Sequence, residues 1–135
     1  LEGLLNKEGF TFGHEPDSIE FSTLGGWIAT NSSGMKRAKY VNIEDLILEI
    51  DVITPKGRLH TKQIFPRHAS GVSLKSIFFG SEGNFGIITA AYIKINKLPE
   101  NQVFGALVFK DFDVGVSFLK ELKDMHFMPS SIRLV

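Results

Sequence analysis

Two apolar, β-branched segments flank a Pro-Lys-Gly turn in the middle of the chain, and this pattern restricts the fold more than any other feature. The first segment covers residues 43–53 and the second covers residues 58–61. Because proline and glycine favour a tight turn between strands, we expect a β-hairpin over residues 44–61. A further strand is expected over residues 87–95. A chain of 135 residues is long enough for one domain, and we interpret this one as an internal segment of a longer protein.

Short helices are expected on the N-terminal side of the hairpin and again after it. Residues 1–8 and residues 73–79 each predict one, and the second is expected to be capped by Ser73. Residues 14–39 are rich in Gly, Ser, Thr and Asn, which indicates loops with short helices.

The C-terminal part of the chain predicts a β-α-β unit. Apolar positions in residues 111–126 recur with a period near 3.6, and strands are expected at residues 103–109 and 132–135. The connector at Leu98 and Pro99 suits a domain boundary, because proline moves the preceding residue out of helical geometry. The expected fold class is α+β, with domains over residues 1–99 and 100–135.

The composition excludes several classes of function. Fifteen basic residues balance fifteen acidic ones, so no long-range field favours nucleic acid or an anionic membrane surface. The chain has no cysteine, which removes disulfides and thiolate metal sites. No apolar run approaches the roughly 20 residues of a membrane span. No metal site is predicted, because the histidines lack ligand spacing and fit surface or core positions: His14, His60, His68 and His126.

Residues 17–34 combine adjacent glycines with many hydroxyl side chains. Gly25 and Gly26 would let a bound group approach the backbone, and hydroxyls before a helix start add hydrogen-bond donors. This arrangement suits a diphosphate or the polar edge of a flat ring. The alternative is a turn-rich segment whose hydroxyls cap helices and whose glycines allow Trp27 to pack closely. The residues alone leave both interpretations open.

A second glycine-rich segment, residues 80–86, has three glycines in seven positions. No Gly-Lys-Ser/Thr follows, which disfavours a P-loop, and the spacing does not match the dinucleotide fingerprint. Taken alone, it is a weak indication of a binding loop. Arg133 lies among apolar residues near the C-terminus, where it either faces solvent or points into a site.

Several short motifs follow one another in a characteristic order. They are HEPDSIEFSTLGGW at 14–27, SGMK at 33–36, YVNIEDL at 40–46, TPKG at 54–57, GSEGNFGIIT at 80–89 and SIRL at 131–134. This ordered set closely resembles the alkyldihydroxyacetonephosphate synthase family, which belongs to the flavoproteins typified by vanillyl-alcohol oxidase. Two departures from the family pattern occur, Asn84-Phe85 in place of Thr-Leu and Thr89-Ala90-Ala91 in place of Thr-Glu-Ala.

The resemblance implies the second half of a vanillyl-alcohol-oxidase-type FAD-binding domain over residues 1–99, followed by the start of an α/β cap domain for the substrate over residues 100–135. Arg133 matches an arginine that the family needs for activity, so it is the expected catalytic residue. The implied FAD contacts are Asp17, Ser18, Ile19, Glu20, Phe21, Ser22, Thr23, Thr30, Asn31, Ser32, Ser33, Glu82, Gly83, Asn84, Phe85, Gly86, Ile87 and Ile88.

The activity implied by the resemblance is the formation of an ether lipid. The acyl group of 1-acyl-dihydroxyacetone phosphate is exchanged for a long-chain fatty alcohol, with FAD bound and without net oxidation. Peroxisomal location, a homodimer and peripheral membrane association are expected on the same ground. Two alternatives stay open at this point: an FAD-dependent 2-hydroxyacid dehydrogenase of the lactate or glycolate type, and a noncatalytic domain that has lost the cofactor.

Overall fold

The computed structural model describes residues 1–60, 64–67, 69 and 71–135. Thr61, at the end of the expected hairpin, and His68 lie outside the described residues. In chain order the elements are α1 (Glu2–Lys7), β1 (Phe10–Thr11), α2 (Leu24–Ala29), α3 (Arg37–Tyr40), α4 (Ile43–Leu46), β2 (Ile47–Thr54), β3 (Gly57–Leu59), a 3₁₀ turn (Leu74–Ile77), β4 (Ile87–Ile93), β5 (Asn96–Lys97) and α5 (Phe112–Asp124).

A three-stranded antiparallel sheet lies at the centre of the fold, with β2 between β3 and β4. The predicted hairpin is confirmed, since β2 pairs with β3 from Val52 opposite Leu59 to Thr54 opposite Gly57. The turn is closed by the Thr54 hydroxyl, which donates to the Gly57 carbonyl at 2.9 Å. The predicted strand at 87–95 is also confirmed as β4, although it ends at Ile93.

The start of the predicted hairpin is wrong, because residues 43–46 form the helical turn α4 before β2 begins. Ile43 and Leu46 are 0% and 3% exposed, and helical spacing lets both side chains enter the core from one turn. Glu44 and Asp45 occupy the first turn, where negative charge stabilises a helix.

The core lies between one face of this sheet and the helices α2 and α4. Trp27 stacks on Phe12 with ring centroids 6.3 Å apart. Burying each large apolar side chain contributes roughly 1.5–3 kcal/mol, so this cluster is the main stabilising element. Its buried members are Phe12, Trp27, Ile28, Ile43, Leu46, Ile47, Ile50, Val52 and Phe78.

Lys75, in the 3₁₀ turn, covers carbonyls at the N-terminal end of β2. Its ammonium donates to the Ile47 carbonyl at 2.7 Å and to the Leu48 carbonyl at 3.0 Å. Desolvation by burial lowers the pKa of Lys75. The short helix predicted at 73–79 is confirmed as a 3₁₀ turn over Leu74–Ile77. Ser73 occupies the N-cap position as predicted, but its side chain makes no capping hydrogen bond.

The helix predicted at 111–126 is confirmed as α5, which begins after Asp111. The Asp111 carboxylate caps the helix by accepting a hydrogen bond from the Val114 amide at 2.9 Å. The strands predicted at 103–109 and 132–135 are wrong, since neither segment joins a sheet in the described residues. Apolar residues extend into a strand only where a neighbouring strand supplies hydrogen-bond partners. Side chains from both segments nevertheless pack on α5, with Phe109 against Phe118 at 5.2 Å between centroids.

The boundary near Leu98 stays a prediction. None of the helices that the structure describes is long and apolar enough to span a bilayer.

Candidate functional site

An open groove of about 470 Å³ lies between α2 and the first residues of β4. The groove brings together the two glycine-containing segments, residues 17–34 and residues 80–89. The first segment contributes Thr23, Gly25, Gly26, Ala29 and Thr30, and the second contributes Glu82, Gly83, Gly86, Ile87 and Ile88. Residues far apart in the sequence thus form a single concave surface, which we take as the candidate site.

The first wall of the groove is α2 with its two flanking threonines. Thr23 is the N-cap, and its hydroxyl accepts a hydrogen bond from the Gly26 amide at 3.1 Å. At the other end, the Thr30 hydroxyl donates to the Gly26 carbonyl at 2.9 Å. A Cβ added at Gly25 would lie 3.3 Å from the Ile88 carbonyl oxygen, so glycine is what allows α2 to approach β4 this closely.

The second wall is the turn that leads into β4. The Asn84 side-chain amide donates to the Ser81 carbonyl at 2.8 Å, and the Asn84 main-chain amide donates to the same oxygen at 2.9 Å. Asn84, one of the two departures from the family pattern, therefore closes this turn. Gly86 follows with φ +157°, and a Cβ there would lie 2.6 Å from the Ile53 carbonyl oxygen. Only glycine fits between the turn and β2.

The structure separates the predicted FAD contacts into two groups. Thr23, Thr30, Glu82, Gly83, Gly86, Ile87 and Ile88 line the groove. The remaining predicted contacts lie outside its lining, and they are Asp17, Ser18, Ile19, Glu20, Phe21, Ser22, Asn31, Ser32, Ser33, Asn84 and Phe85. Gly25, Gly26 and Ala29 also line the groove, although they were not among the predicted contacts. The pair of adjacent glycines was the sequence signal for Gly25 and Gly26, whereas no sequence signal indicated Ala29.

Several of the hydroxyls outside the groove hold its supporting loops in place. The Ser22 hydroxyl accepts from the Trp27 indole at 2.6 Å and donates to the Ser18 carbonyl at 2.7 Å. The Ser33 hydroxyl donates to the Asn42 side chain at 2.9 Å. Both interpretations of this segment therefore have a counterpart in the structure, because some hydroxyls stabilise loops and a helix start while others face the groove.

His14 lies behind the first wall and is 2% exposed. Its Nε2 is 2.8 Å from the Ser32 hydroxyl, and its ring packs edge-on against Trp27 at 5.4 Å between centroids. Its Nδ1 is buried and has no hydrogen-bond partner in the described part of the chain. Burial lowers the pKa of His14 below 6.5, opposed by the negative charge of Glu44. The buried ring thus packs with the aromatic side chains of the core.

Arg133, the expected catalytic residue, does not line the groove. It is exposed and lies in an irregular segment near Leu134, whose side chain packs against Gly115 of α5. Its assignment stays a prediction.

The groove has the chemistry that a flat, largely neutral ring system requires. Glycines leave the backbone of both walls accessible, Ile87 and Ile88 offer apolar surface, and two threonine hydroxyls supply polar contacts. Among the described residues that line it, none is a lysine, arginine or histidine, and Glu82 carries a carboxylate. A diphosphate would be repelled by that negative charge, so this groove is better matched to the uncharged isoalloxazine ring. The residues present therefore fit part of FAD.

Comparison with known proteins agrees with this geometry. Residues 1–62 match a protein family described as an FAD binding domain. The alkyldihydroxyacetonephosphate synthase of Caenorhabditis elegans is 49% identical over 100% of the chain, which covers 23% of that protein. The enzyme of the same name from Dictyostelium discoideum is 41% identical over 99% of the chain and 22% of its own length.

The fold agrees as well. A solved structure of alkyldihydroxyacetonephosphate synthase superposes with a TM-score of 0.82 at 38% identity, covering 97% of this chain and 24% of that one. The chain spans less than a quarter of the length of these relatives. Over that span the chain is similar in sequence and fold to the alkyldihydroxyacetonephosphate synthases, and its residues 1–62 match an FAD binding domain.

Proposed function

We propose that this chain forms one side of the FAD site in an enzyme that makes the ether bond of ether lipids. In the proposed reaction, the acyl group of 1-acyl-dihydroxyacetone phosphate is exchanged for a long-chain fatty alcohol, which yields the 1-alkyl product and a fatty acid without net oxidation. The single observation that carries the proposal is the meeting of Thr23–Thr30 and Glu82–Ile88 at one groove. The identities of 49% and 41% to named synthases support the choice of reaction.

Each wall has a distinct role in this proposal. The Thr23 and Thr30 hydroxyls orient the polar edge of the cofactor, and Gly25 and Gly26 allow it to lie against the backbone. Ile87 and Ile88 shield one side of the ring from water. When bound, FAD supplies electrophilic chemistry that amino-acid side chains lack.

Arg133 is proposed to bind the phosphate of the substrate, because a guanidinium forms paired hydrogen bonds to phosphate oxygens. Its exposed position leaves it available to a ligand. Arg133→Ala is expected to abolish alkyl exchange while the fold and FAD content are kept. Full activity of this variant would remove Arg133 from the site.

Three further features of the whole protein belong to the proposal: a peroxisomal location, a homodimer and peripheral association with membranes. All three rest on the family resemblance. Cell fractionation and measurement of the molar mass in solution would test them.

The experiment for the proposed function uses the whole protein in which this chain occurs. We expect a visible flavin absorption spectrum and incorporation of labelled hexadecanol when acyl-dihydroxyacetone phosphate is supplied. Bleaching of the flavin by lactate or glycolate without alkyl incorporation would instead identify a 2-hydroxyacid dehydrogenase. A protein that takes up no FAD on reconstitution would contradict both enzymatic interpretations.

A further inference from the structure

The two walls of the groove are joined by main-chain hydrogen bonds at the C-terminal end of α2. A helix leaves its last carbonyls without partners inside the helix. Here the Ala29 carbonyl accepts from the Glu82 amide at 2.8 Å, and the Ile28 carbonyl accepts from the Gly80 amide at 3.3 Å. The glycine-rich turn therefore caps the helix that faces it across the groove.

Glu82 donates this hydrogen bond to Ala29 from a backbone conformation that is rare for residues other than glycine. Its φ is +49°, in the left-handed region, and the following Gly83 has φ +83°. Residues other than glycine are disfavoured there by contact between Cβ and the backbone. Just beyond the end of α2, Asn31 has φ +50°, and its amide donates to the Ile28 carbonyl at 3.1 Å. Both segments that these hydrogen bonds join thus contain a left-handed residue other than glycine.

The turn that holds Glu82 is closed by its own hydrogen bonds. Ser81 is 7% exposed, and its carbonyl accepts both amide groups of Asn84. The Ser81 amide donates to the Phe78 carbonyl at 3.3 Å, and Phe78 belongs to the core. The Glu82 amide is therefore held in position by hydrogen bonds of Ser81 before it and Asn84 after it.

We infer that Glu82 is a positioning residue of the groove, and that it acts through its main-chain amide and its left-handed backbone rather than through its carboxylate. The bond to Ala29 sets the distance between the walls before any cofactor enters. This inference rests on the proposed function for the identity of the ligand, but the preformed width of the groove is a property of the chain itself. A groove that is already assembled avoids the entropic cost of ordering a loop on binding.

The test combines three substitutions in the whole protein with measurement of FAD affinity. Glu82→Gln removes the charge and keeps the backbone preference, and Glu82→Gly adopts positive φ without strain. Both are expected to keep the FAD Kd within about threefold of the parent value. Glu82→Val introduces a β-branched side chain that opposes the left-handed backbone, and it is expected to raise the Kd about tenfold. An equal loss in Glu82→Gln and Glu82→Val would overturn the inference, since the carboxylate would then be what matters.

A second measurement needs no variant and no bound cofactor. Amide hydrogen exchange of the flavin-free protein is expected to show protection at Gly80 and Glu82, comparable to that in the β2–β4 ladder and unchanged by FAD. Fast exchange at these amides that slows only when FAD is added would overturn the inference, because the walls would then come together on binding. If the protein takes up no FAD at all, the proposed function fails, yet the exchange pattern still decides whether the groove is preformed.

Discussion

Replacing Thr23 by valine tests how the first wall of the groove is held. Valine has nearly the shape of threonine but lacks the hydroxyl that accepts from the Gly26 amide at 3.1 Å. Losing an N-cap hydroxyl typically costs about 1 kcal/mol, in a range of about 0.5–2 kcal/mol. The amide of Gly26, a residue of the groove lining, would then lack its side-chain partner. We expect the free energy of unfolding of Thr23→Val to fall by about 1 kcal/mol.

The same substitution is expected to weaken FAD binding, because Thr23 lines the groove and its hydroxyl holds the Gly26 amide of the same wall. If the whole cost of about 1 kcal/mol appears in binding, the Kd rises about fivefold. Thr23→Ile adds a further carbon to the lining and should raise the Kd more than Thr23→Val. Thr23→Ser keeps the hydroxyl and is the matched control.

FAD affinity is measured by titrating the flavin-free whole protein with FAD and monitoring the quenching of flavin fluorescence. The stability of each variant is measured by urea unfolding. We expect FAD affinity to fall in the order parent, Thr23→Ser, Thr23→Val and Thr23→Ile. A Thr23→Val protein with the affinity and stability of the parent would refute it. So would a Thr23→Ser protein as impaired as Thr23→Val.

Three further predictions concern His14, Gly86 and Lys75, and the last two have a matched control variant. Because burial lowers the folded-state pKa of His14, the unfolded chain binds that proton more readily, so the free energy of unfolding should decline as the pH falls below the ordinary 6.5. His14→Gln should have a flatter profile in urea unfolding between about pH 5 and 7.5, and parallel profiles would contradict the assignment. Gly86→Ala places a Cβ 2.6 Å from the Ile53 carbonyl oxygen and should destabilise the protein by about 2 kcal/mol. In the control Gly83→Ala the added Cβ meets no atom within 4 Å, so only the backbone strain of its positive φ remains. Equal losses of unfolding free energy in the two variants would argue against the close contact at Gly86. Lys75→Met removes two hydrogen bonds to β2 carbonyls and should lower the free energy of unfolding by about 1 kcal/mol. Lys75→Arg keeps a hydrogen-bond donor and is the control. An unchanged urea midpoint in Lys75→Met would show that these hydrogen bonds contribute nothing to stability.

The sequence predicts those parts of the fold whose signals are local. The Pro-Lys-Gly turn between β-branched segments is enough for the β2–β3 hairpin, and the 3.6-residue period of apolar positions is enough for α5. The helical turn at 43–46 was missed because a short apolar run fits a strand and a buried helical turn equally well. Residues 103–109 were predicted as a strand, but strand formation depends on a partner that a local pattern does not specify.

The candidate site was predicted only in part for a similar reason. Glycines and hydroxyls indicated binding segments, yet no local pattern states that Thr30 and Glu82 approach the same groove. The pattern also could not separate the Thr23 hydroxyl, which lines the groove, from the Ser22 hydroxyl, which holds the Trp27 indole. That division depends on side-chain direction, which is set by the packing of α2 against β4.

The most direct test of the central claim is photolabelling with an FAD derivative that carries an azide on its isoalloxazine ring. We expect labelled peptides from both residues 17–34 and residues 80–89 of the whole protein, and we expect unmodified FAD to prevent both labels at the same concentration. Labelling confined to one of these segments, or to neither, would contradict the claim that they form a single flavin site.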